Sequence, residues 1–403
     1  MSLRTFKGGV HPFEGKELSK SKPIKELLPQ GELVFPVSQH IGAPAKPLVA
    51  KGDTVLRGQK IAEAGGFVSS PIYSSVSGTV KAIEKRRTAT GDMVDAIVIE
   101  SDGNFMEAGF EETEDVTKLS NQEIIKKIQD AGVVGMGGAG FPTHVKLSPK
   151  NPDQIDYIIA NCAECEPYLT SDYREMVEEP EKLIGGLKIV LQLFPNAKGV
   201  FAIENNKPDC IDKISEMIKD DDRLSVQPLL TKYPQGGERQ LIHAVTARDL
   251  NSKMLSADAR CIVDNVATLM AIYDAVKLGI PVMNRVFTVT GDAVCEPRNF
   301  RICIGTSFQE LLDAAGGLIH DARKMISGGP MMGFAMYGLD VPTTKTTSAL
   351  LCLTQDAASE FETTACINCG RCVEACPEGL VPSRLADFAE HGEKEEFEKW
   401  YGL

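Results

Sequence analysis

No stretch of this chain comes near the roughly 18 uncharged apolar residues that a membrane-spanning helix needs. The most apolar run, Cys261 to Val276, is broken by Asp264 and Asp274. No direct membrane span is therefore expected. The segment from Ser2 to Gly15 lacks the apolar core of a secretory signal, so secretion is not expected either. Excess positive charge is also missing. Lys and Arg number 43 against 56 Asp and Glu, a formal net charge of −13. That balance excludes nucleic acid and anionic lipid as main partners. It suits a solvated cytoplasmic protein that docks to a basic partner. The histidines (His11, His40, His144, His243, His320, His391) are too scattered for a His-based metal motif. An even cysteine framework is absent too: eleven cysteines without a secretion signal argue against disulfides.

What is present points to several domains. The 403 residues exceed one average domain, and about 150 residues per domain predicts two or three. Hydrophobic content of 43% and charged content of 25% exclude bulk disorder. Residues 1–30 are polar and Pro/Gly-rich and read as an arm. Residues 31–107 hold short β-runs between turns: Lys51-Gly52-Asp53, Arg57-Gly58-Gln59, Val76-Ser77-Gly78. Their order looks like a biotinyl/lipoyl-type barrel-sandwich hammerhead. Such modules carry a modifiable lysine at a hairpin tip, and Gly65 to Ser70 has none, so a structural role is expected.

Residues 108–280 change to a helical period and then alternate. Ser120-x-x-Glu123 is a capping box ahead of an apolar face at Ile124, Ile125, Ile128 and Ala131, with Gly132 as the stop. Ile155–Asn161, Gly199–Glu204 and Leu224–Leu230 read as strands. Glu181–Leu193, opened by Pro180, and Pro208–Lys219 read as helices. This β-α-β-α-β order predicts a parallel sheet covered on both faces. Cys261–Lys277 reads as a long apolar helical stretch. Residues 281–345 read as strand, strand and helix (Arg285–Val294, Asn299–Gly305, Ser307–Ala315), a small β-grasp module. Residues 346–403, after Lys345, read as helical. The fold class is thus multidomain α/β.

Cys366-x2-Cys369-x2-Cys372-x3-Cys376-Pro377 carries the strongest chemical signal. Three thiolates at this spacing on a tight turn reach three irons of one cubane. The fourth, followed by proline, serves the other cluster of a two-cluster module. Zinc remains an alternative, although zinc motifs usually split into separated pairs. A two-cluster module needs a second cysteine run, which does not follow before Leu403. The chain reads as truncated and its [4Fe–4S] pair as incomplete, with the segment from about Ala358 poorly packed or held by neighbours rather than by iron.

Gly135-Met136-Gly137-Gly138-Ala139-Gly140 fits G-x-G-x-x-G, but a helix precedes it and Pro149 and Pro152 stop any helix begun at Pro142. A plain dinucleotide fingerprint is therefore rejected. A loop free of β-carbons still lets backbone N–H groups approach a phosphate or a flat ring, and Lys146 adds a cation. A bare glycine turn is the alternative. Three polar clusters accompany it. Asn161 to Tyr168 lies at a strand's carboxyl end, where parallel sheets bind ligands, or is a solvated acidic loop. Tyr233 to Glu238 is a second glycine-rich turn. Asp264 to Thr268 sits at a helix start, where N-capping is the plainer reading.

Together these motifs resemble a known family. Gly135 to Leu147 (GMGGAGFPTHVKL) is similar to the flavin loop of the NADH-binding flavoprotein subunit of respiratory complex I. The RnfC component of the Rnf electron-transport complex is the closer resemblance. It is carried by Phe6-Lys7-Gly8-Gly9-Val10-His11-Pro12, Ala163 to Thr170, Lys232 to Gly236 and Gly328-Gly329-Pro330-Met331-Met332-Gly333. The resemblance implies a hammerhead, a Rossmann-like FMN/NADH domain, a β-grasp module of the soluble-ligand-binding (SLBB) type and a helical ferredoxin-like tail. It implies FMN over Gly135, Gly137 and Gly138, near Lys146. Asn161 and Glu164 would hold the ring edge, with Gly236, Asn265 and Thr268 near the phosphate and ribityl chain. Phe141 would stack on the nucleotide, and Glu166, Tyr233 and Glu238 would contact NAD(H). The sequence departs from the complex I pattern at Met136 (arginine there), Ala163 (an acid), Gly237 (an acid) and Asp264 (an asparagine).

The implied function is NADH-dependent oxidoreductase chemistry in an Rnf-type NAD:ferredoxin oxidoreductase, a translocase. Electrons would pass between NADH and iron–sulfur carriers through FMN. Implied partners are the other Rnf subunits and a ferredoxin-like carrier, at the inner face of the cell membrane. The alternatives are a stand-alone flavin/iron–sulfur reductase, of cobalamin-reductase type or partnering an amino-acid reductase, and a scaffold that has lost its flavin.

Overall fold

The computed structural model describes residues 3–362 and 364–401, with residues 357, 358 and 401 as backbone only. The expected arm and tail therefore lose residues 1–2, 363 and 402–403 from description.

The hammerhead is two antiparallel sheets. Glu32–Pro36, Met93–Ser101, Gly78–Arg87 and Thr54–Val55 form one; Lys46–Pro47, Lys60–Glu63 and Ile72–Tyr73 form the other. Period-two positions Leu33, Phe35, Ile97 and Ile99 bury their side chains with Ile61 and Val80 in one core. The end of the Gly65–Ser70 hairpin is anchored to the other modules. Lys345 Nζ donates to Ser70 Oγ (3.0 Å), to the Pro71 carbonyl (2.6 Å) and to the Gly132 carbonyl (2.7 Å). One buried lysine thus ties three modules.

The capping box forms as expected: Ser120 Oγ accepts from Glu123 N–H, and Glu123 returns the bond. Gly132 follows the helix with φ of 73°. The central sheet is fully parallel, in the order Leu224–Leu229, Lys198–Glu204, Tyr157–Cys162, Cys261–Asn265. Helices Asn121–Asp130, Pro180–Leu193, Pro208–Met217 and Val266–Tyr273 contribute to the main core, and Glu238–Thr246 covers the opposite face. The helical reading of Cys261–Lys277 is corrected. Cys261–Asn265 is the fourth strand, and the helix begins only at Val266. A run buried on both faces has no alternation to betray it as a strand. Asn265 ends that strand and caps the helix, its Oδ1 accepting from Ala267 N–H (3.0 Å).

The β-grasp sheet has six strands, in the order Lys25–Leu27, Arg298–Cys303, Asn284–Thr290, Ala349–Leu353, Lys324–Ser327, Phe334–Ala335. Helix Phe308–Ala314, capped by Ser307, packs its Phe308 edge-on to Phe287 at 5.4 Å. The expectation that the chain turns helical after Lys345 is corrected. Ala349–Leu353 pairs parallel with Asn284–Thr290 and antiparallel with Lys324–Ser327. Its ALLCL sequence is buried on both faces, as an interior strand demands.

Beyond it the chain is helical as expected: Arg371–Ala375, Pro382–Glu390 and Lys394–Tyr401 are largely exposed. Neighbours hold this tail: Gly9 N–H donates to the Ala375 carbonyl (2.8 Å), and Gln240 Nε2 to Glu378 Oε1 (2.7 Å). The N-terminal arm has no core of its own. Arg4 pairs in parallel with Leu229, extending the open edge of the central sheet.

Candidate flavin and nucleotide site

The carboxyl ends of the parallel strands gather most of the expected residues. A short turn brings the glycine loop back on itself, with Gly135 N–H donating to the Phe141 carbonyl (2.9 Å) and Val134 bridged to Pro142. Gly137, Gly138 and Ala139 are left exposed above the sheet, with Phe141 beside them at 37% exposure. Thr268 fastens the loop from below, its Oγ1 accepting from Met136 N–H (2.9 Å). A Cβ on Gly137 would sit 2.7 Å from Cβ and Cγ of Asn265, whereas one on Gly138 would meet nothing within 4 Å. One face of the loop is therefore pressed onto the helix start, and the other is open.

Lys146 lies across the free edge of the fourth strand. Its Nζ donates to the Val263 carbonyl and stands 3.5 Å from Asp264 Oδ1 and 3.6 Å from Glu238 Oε1. Burial pushes the Asp264 carboxyl up, against the pull of Lys146. Asn161, one residue before the end of strand Tyr157–Cys162, donates from Nδ2 to the Gly236 carbonyl (2.8 Å). Gly236 N–H in turn points at Cys165 Sγ (3.2 Å), and burial raises that thiol to about 11. Cys162, three residues earlier, is fully buried, and burial raises its thiol as well.

Two expected ligand residues are committed elsewhere. Glu164, at φ 45°, turns inward: Oε1 accepts from Asp172 N–H (2.8 Å), and Oε2 is 3.6 Å from Lys16 Nζ. Glu166 Oε1 accepts from the backbone N–H groups of Met331 (2.7 Å) and Met332 (3.2 Å). The β-grasp loop Gly328–Gly333 is thereby drawn onto the Glu166 and Tyr233 side of the site. The approach is tight, since a Cβ on Gly329 would overlap Glu166 Cγ at 2.2 Å. Burial raises the Glu166 carboxyl, and Tyr233 next to it is pushed up to about 12 by burial and by the Glu166 charge.

The residues fit a flavin. The open glycine backbone, the Lys146 cation and the start of the helix at Val266 favour an anionic phosphate beside a flat ring. Buried Asp264 Oδ2 has no hydrogen-bond partner among the described residues. A hydroxyl donor of a ribityl chain would complete it. The four tail cysteines are a donor set suited to iron. They are not drawn together like the glycine loop: Cys366, Cys369 and Cys372 are exposed, Cys376 is half-buried, and no cluster of three potential metal ligands occurs among the described residues.

Sequence reasoning missed a layer of buried and half-buried titratable groups beneath the loop. Asp172 Oδ2 accepts from Asn265 Nδ2 (2.6 Å), and burial with the nearby Glu164 pushes Asp172 up to about 7. Glu175 rises to about 8, chiefly by burial. It lines a cavity of about 270 Å³ with Met136 and Arg285. Arg285 reaches over from the β-grasp sheet, with Nη2 3.5 Å from the Met136 carbonyl. These partners lie 93 and 149 positions apart, so no local pattern could have revealed them. The Met331-Met332 loop did have a signal, the Gly328–Gly333 motif.

Fold and site together define an electron-transfer protein of the flavin/iron–sulfur class. Models of four domain families match the chain: the RnfC barrel sandwich hybrid domain over residues 4–104, the Nuo51 FMN-binding domain over 128–274, the SLBB domain over 286–335 and a 4Fe-4S binding domain over 359–381. The chain belongs to the RnfC family, the C components of Rnf-type ferredoxin:NAD(+) oxidoreductase complexes. It is 43% identical to the C component of the Na(+)-translocating ferredoxin:NAD(+) oxidoreductase complex of Acetobacterium woodii, over 96% of this chain and 87% of that protein. It is 44% identical to the C component of the proton-translocating ferredoxin:NAD(+) oxidoreductase complex of Clostridium ljungdahlii, over 100% and 88%. The C component of the ion-translocating oxidoreductase complex of Pseudomonas aeruginosa is 38% identical, over 98% of this chain but only 51% of its own length. Among solved structures, an NAD+-reducing [NiFe]-hydrogenase chain overlaps 59% of this chain and 47% of its own, at 19% identity and a TM-score of 0.46.

Proposed function

We propose that this chain moves electrons between NAD(H) and a ferredoxin-like carrier, within a complex whose other Rnf-type subunits hold it at the cytoplasmic face of the membrane. No helix among the described residues is long and apolar enough to cross a membrane, so attachment would run through those subunits. The observation that carries the reading is the exposed glycine loop at the carboxyl edge of a parallel sheet, on one chain with a C-x2-C-x2-C-x3-C-P segment.

Oxidation of NADH releases NAD+, one proton and two electrons, while iron–sulfur centres take electrons singly. Bound FMN supplies the exchange between the two kinds of transfer. The chain's own residues bind and orient. Gly137 and Gly138 admit the ring and phosphate to the backbone, Lys146 neutralises phosphate charge, and Thr268 and Asn265 hold the loop to the helix start. Asn161 sets the Gly236 turn. Phe141 offers a face to the nucleotide. Glu166, with Tyr233 near it, accepts ribose hydroxyl donors on the carboxylate oxygen that the Met331-Met332 loop leaves free, and Glu238, beside Lys146, contacts the nucleotide from the other side of the turn. Cys366, Cys369, Cys372 and Cys376 ligate iron.

The test is the absorbance spectrum of FMN-reconstituted protein. Saturable binding of one flavin per chain, bleached by NADH, is expected. Absence of saturable binding overturns the reading.

A further inference from the structure

The Phe6-Lys7-Gly8-Gly9-Val10-His11-Pro12 motif has no part in the chemistry above, yet the structure gives it two faces. One face lies on the nucleotide side. Val10 N–H donates to the Tyr233 carbonyl and Tyr233 N–H to the Val10 carbonyl, both at 2.8 Å. Lys232 Nζ donates to the carbonyls of Phe6 (2.6 Å) and Gly8 (2.7 Å) and stands 3.9 Å from the centre of the Phe6 ring. Thr5 Oγ1 adds a bond to Gln235 Oε1 (3.1 Å). The arm is thus bound along the turn that contains Tyr233.

The other face meets the cysteine segment. Gly9 N–H donates to the Ala375 carbonyl at 2.8 Å, one residue before Cys376. Both glycines have left-handed backbones, with φ of 81° at Gly8 and 89° at Gly9, which side chains resist. Space excludes a side chain as well. A Cβ on Gly8 would stand 2.9 Å from the Ala375 oxygen, and one on Gly9 2.9 Å from the Tyr233 oxygen. The two glycines are therefore pressed between the tail and the Tyr233 turn, one against each. The Gln240–Glu378 bond, from the helix that follows the same turn, holds the tail independently at a second point.

We infer that the Gly8-Gly9 turn is the seat on which the cysteine segment docks, and that it sets the separation between Cys376 and the Tyr233–Gly236 side of the site. From Cys376 the connection runs through one peptide to the Ala375 carbonyl, across a hydrogen bond to Gly9, along Val10, and across a second hydrogen bond to Tyr233. The docking rests on contacts of the polypeptide alone. Its role in electron transfer rests on the function proposed above.

The experiment compares the full chain with Gly8→Val and, separately, Gln240→Ala, by hydrogen–deuterium exchange. In Gly8→Val, amides of residues 371–378 should exchange roughly tenfold faster, which corresponds to about 1.4 kcal/mol, the scale of one net hydrogen bond. Amides of the central strands should stay protected in both variants, showing that the fold is intact. Gln240→Ala should loosen residues 376–380 by a smaller factor without touching Gly9. Unchanged exchange over residues 371–378 in both variants overturns the docking. The second measurement is stopped-flow on protein reconstituted with FMN and iron–sulfur. In Gly8→Val, flavin bleaching by NADH should keep its wild-type rate while the later cluster-reduction phase slows. Faster exchange with an unchanged cluster phase overturns the spacing role. Absence of flavin bleaching, or of any cluster-reduction phase, in the wild-type protein counts against the proposed function and leaves the exchange result standing.

Discussion

Replacing Glu166 by alanine separates a nucleotide ligand from a purely structural tie. The carboxylate makes two hydrogen bonds through Oε1, to the N–H groups of Met331 and Met332, and neither bond uses Oε2. Hydrogen bonds to a charged acceptor contribute on the order of 1.5–3 kcal/mol each. If Oε2 receives a ribose hydroxyl, Glu166→Ala forfeits one such bond in the complex, a loss of roughly 10- to 150-fold in NADH affinity. It also frees the Gly328–Gly333 loop, whose two N–H groups are exposed enough for water to replace the lost acceptor. Stability should accordingly fall by only about 1 kcal/mol. Glu166→Gln keeps an acceptor without the charge and should fall between wild type and Glu166→Ala. The assay is calorimetric titration of NADH into FMN-reconstituted protein, with flavin affinity measured in parallel. Flavin affinity should be unchanged, because no flavin-side residue bonds to Glu166. NADH affinity within a factor of two of wild type in Glu166→Ala would refute the reasoning and leave Glu166 as a tie between modules only.

Two further outcomes are expected. Gly137→Val should abolish saturable FMN binding, since its Cβ would come within 2.7 Å of Asn265 and the branched side chain would lever the loop off the helix start that holds it in place; equilibrium dialysis with FMN checks this, and wild-type affinity would contradict the cradle. Asp172→Asn should change the pH dependence of stability. Asp172 faces Glu164, Asn265, Arg285 and Lys16, and its carboxyl rises from 3.8 to about 7. A carboxyl raised in the folded state contributes stability that is present below about pH 4 and lost as pH climbs through about 7. At 1.36 kcal/mol per pH unit the full loss is about 4 kcal/mol. The variant should therefore resist urea better than wild type at pH 8 and show little advantage at pH 4, and parallel urea midpoints at the two pH values would contradict this.

Much of the chemistry was legible in the one-dimensional pattern because it is locally encoded. Four thiolates within eleven positions announce iron without any fold, and a run of glycines announces a backbone open to a ligand. The capping box at Ser120, the proline-opened helix at Pro180 and the alternation of elements from Tyr157 to Leu229 follow from spacing and side-chain shape within a few residues. The strands Cys261–Asn265 and Ala349–Leu353 look helical in the sequence for one shared reason. Each is buried on both faces, and burial on both faces erases the period that tells strand from helix.

What only tertiary structure decided is how the charges near the loop are used. Glu164 and Glu166 look alike in the sequence, two acids two positions apart. Folding turns one inward to Asp172 N–H and Lys16 and ties the other to a loop from the β-grasp module. Asp172, Glu175 and Arg285 become a buried layer beneath Gly137 only because a helix, a strand and the loop converge there. The Gly8-Gly9 pair gains its two neighbours in the same way, across more than two hundred positions on one side and more than three hundred on the other. Sequence spacing specifies which groups a segment can offer. Which partner satisfies a buried charge or an unpaired N–H is settled by contacts between segments distant in the chain, and such contacts leave no trace in local pattern.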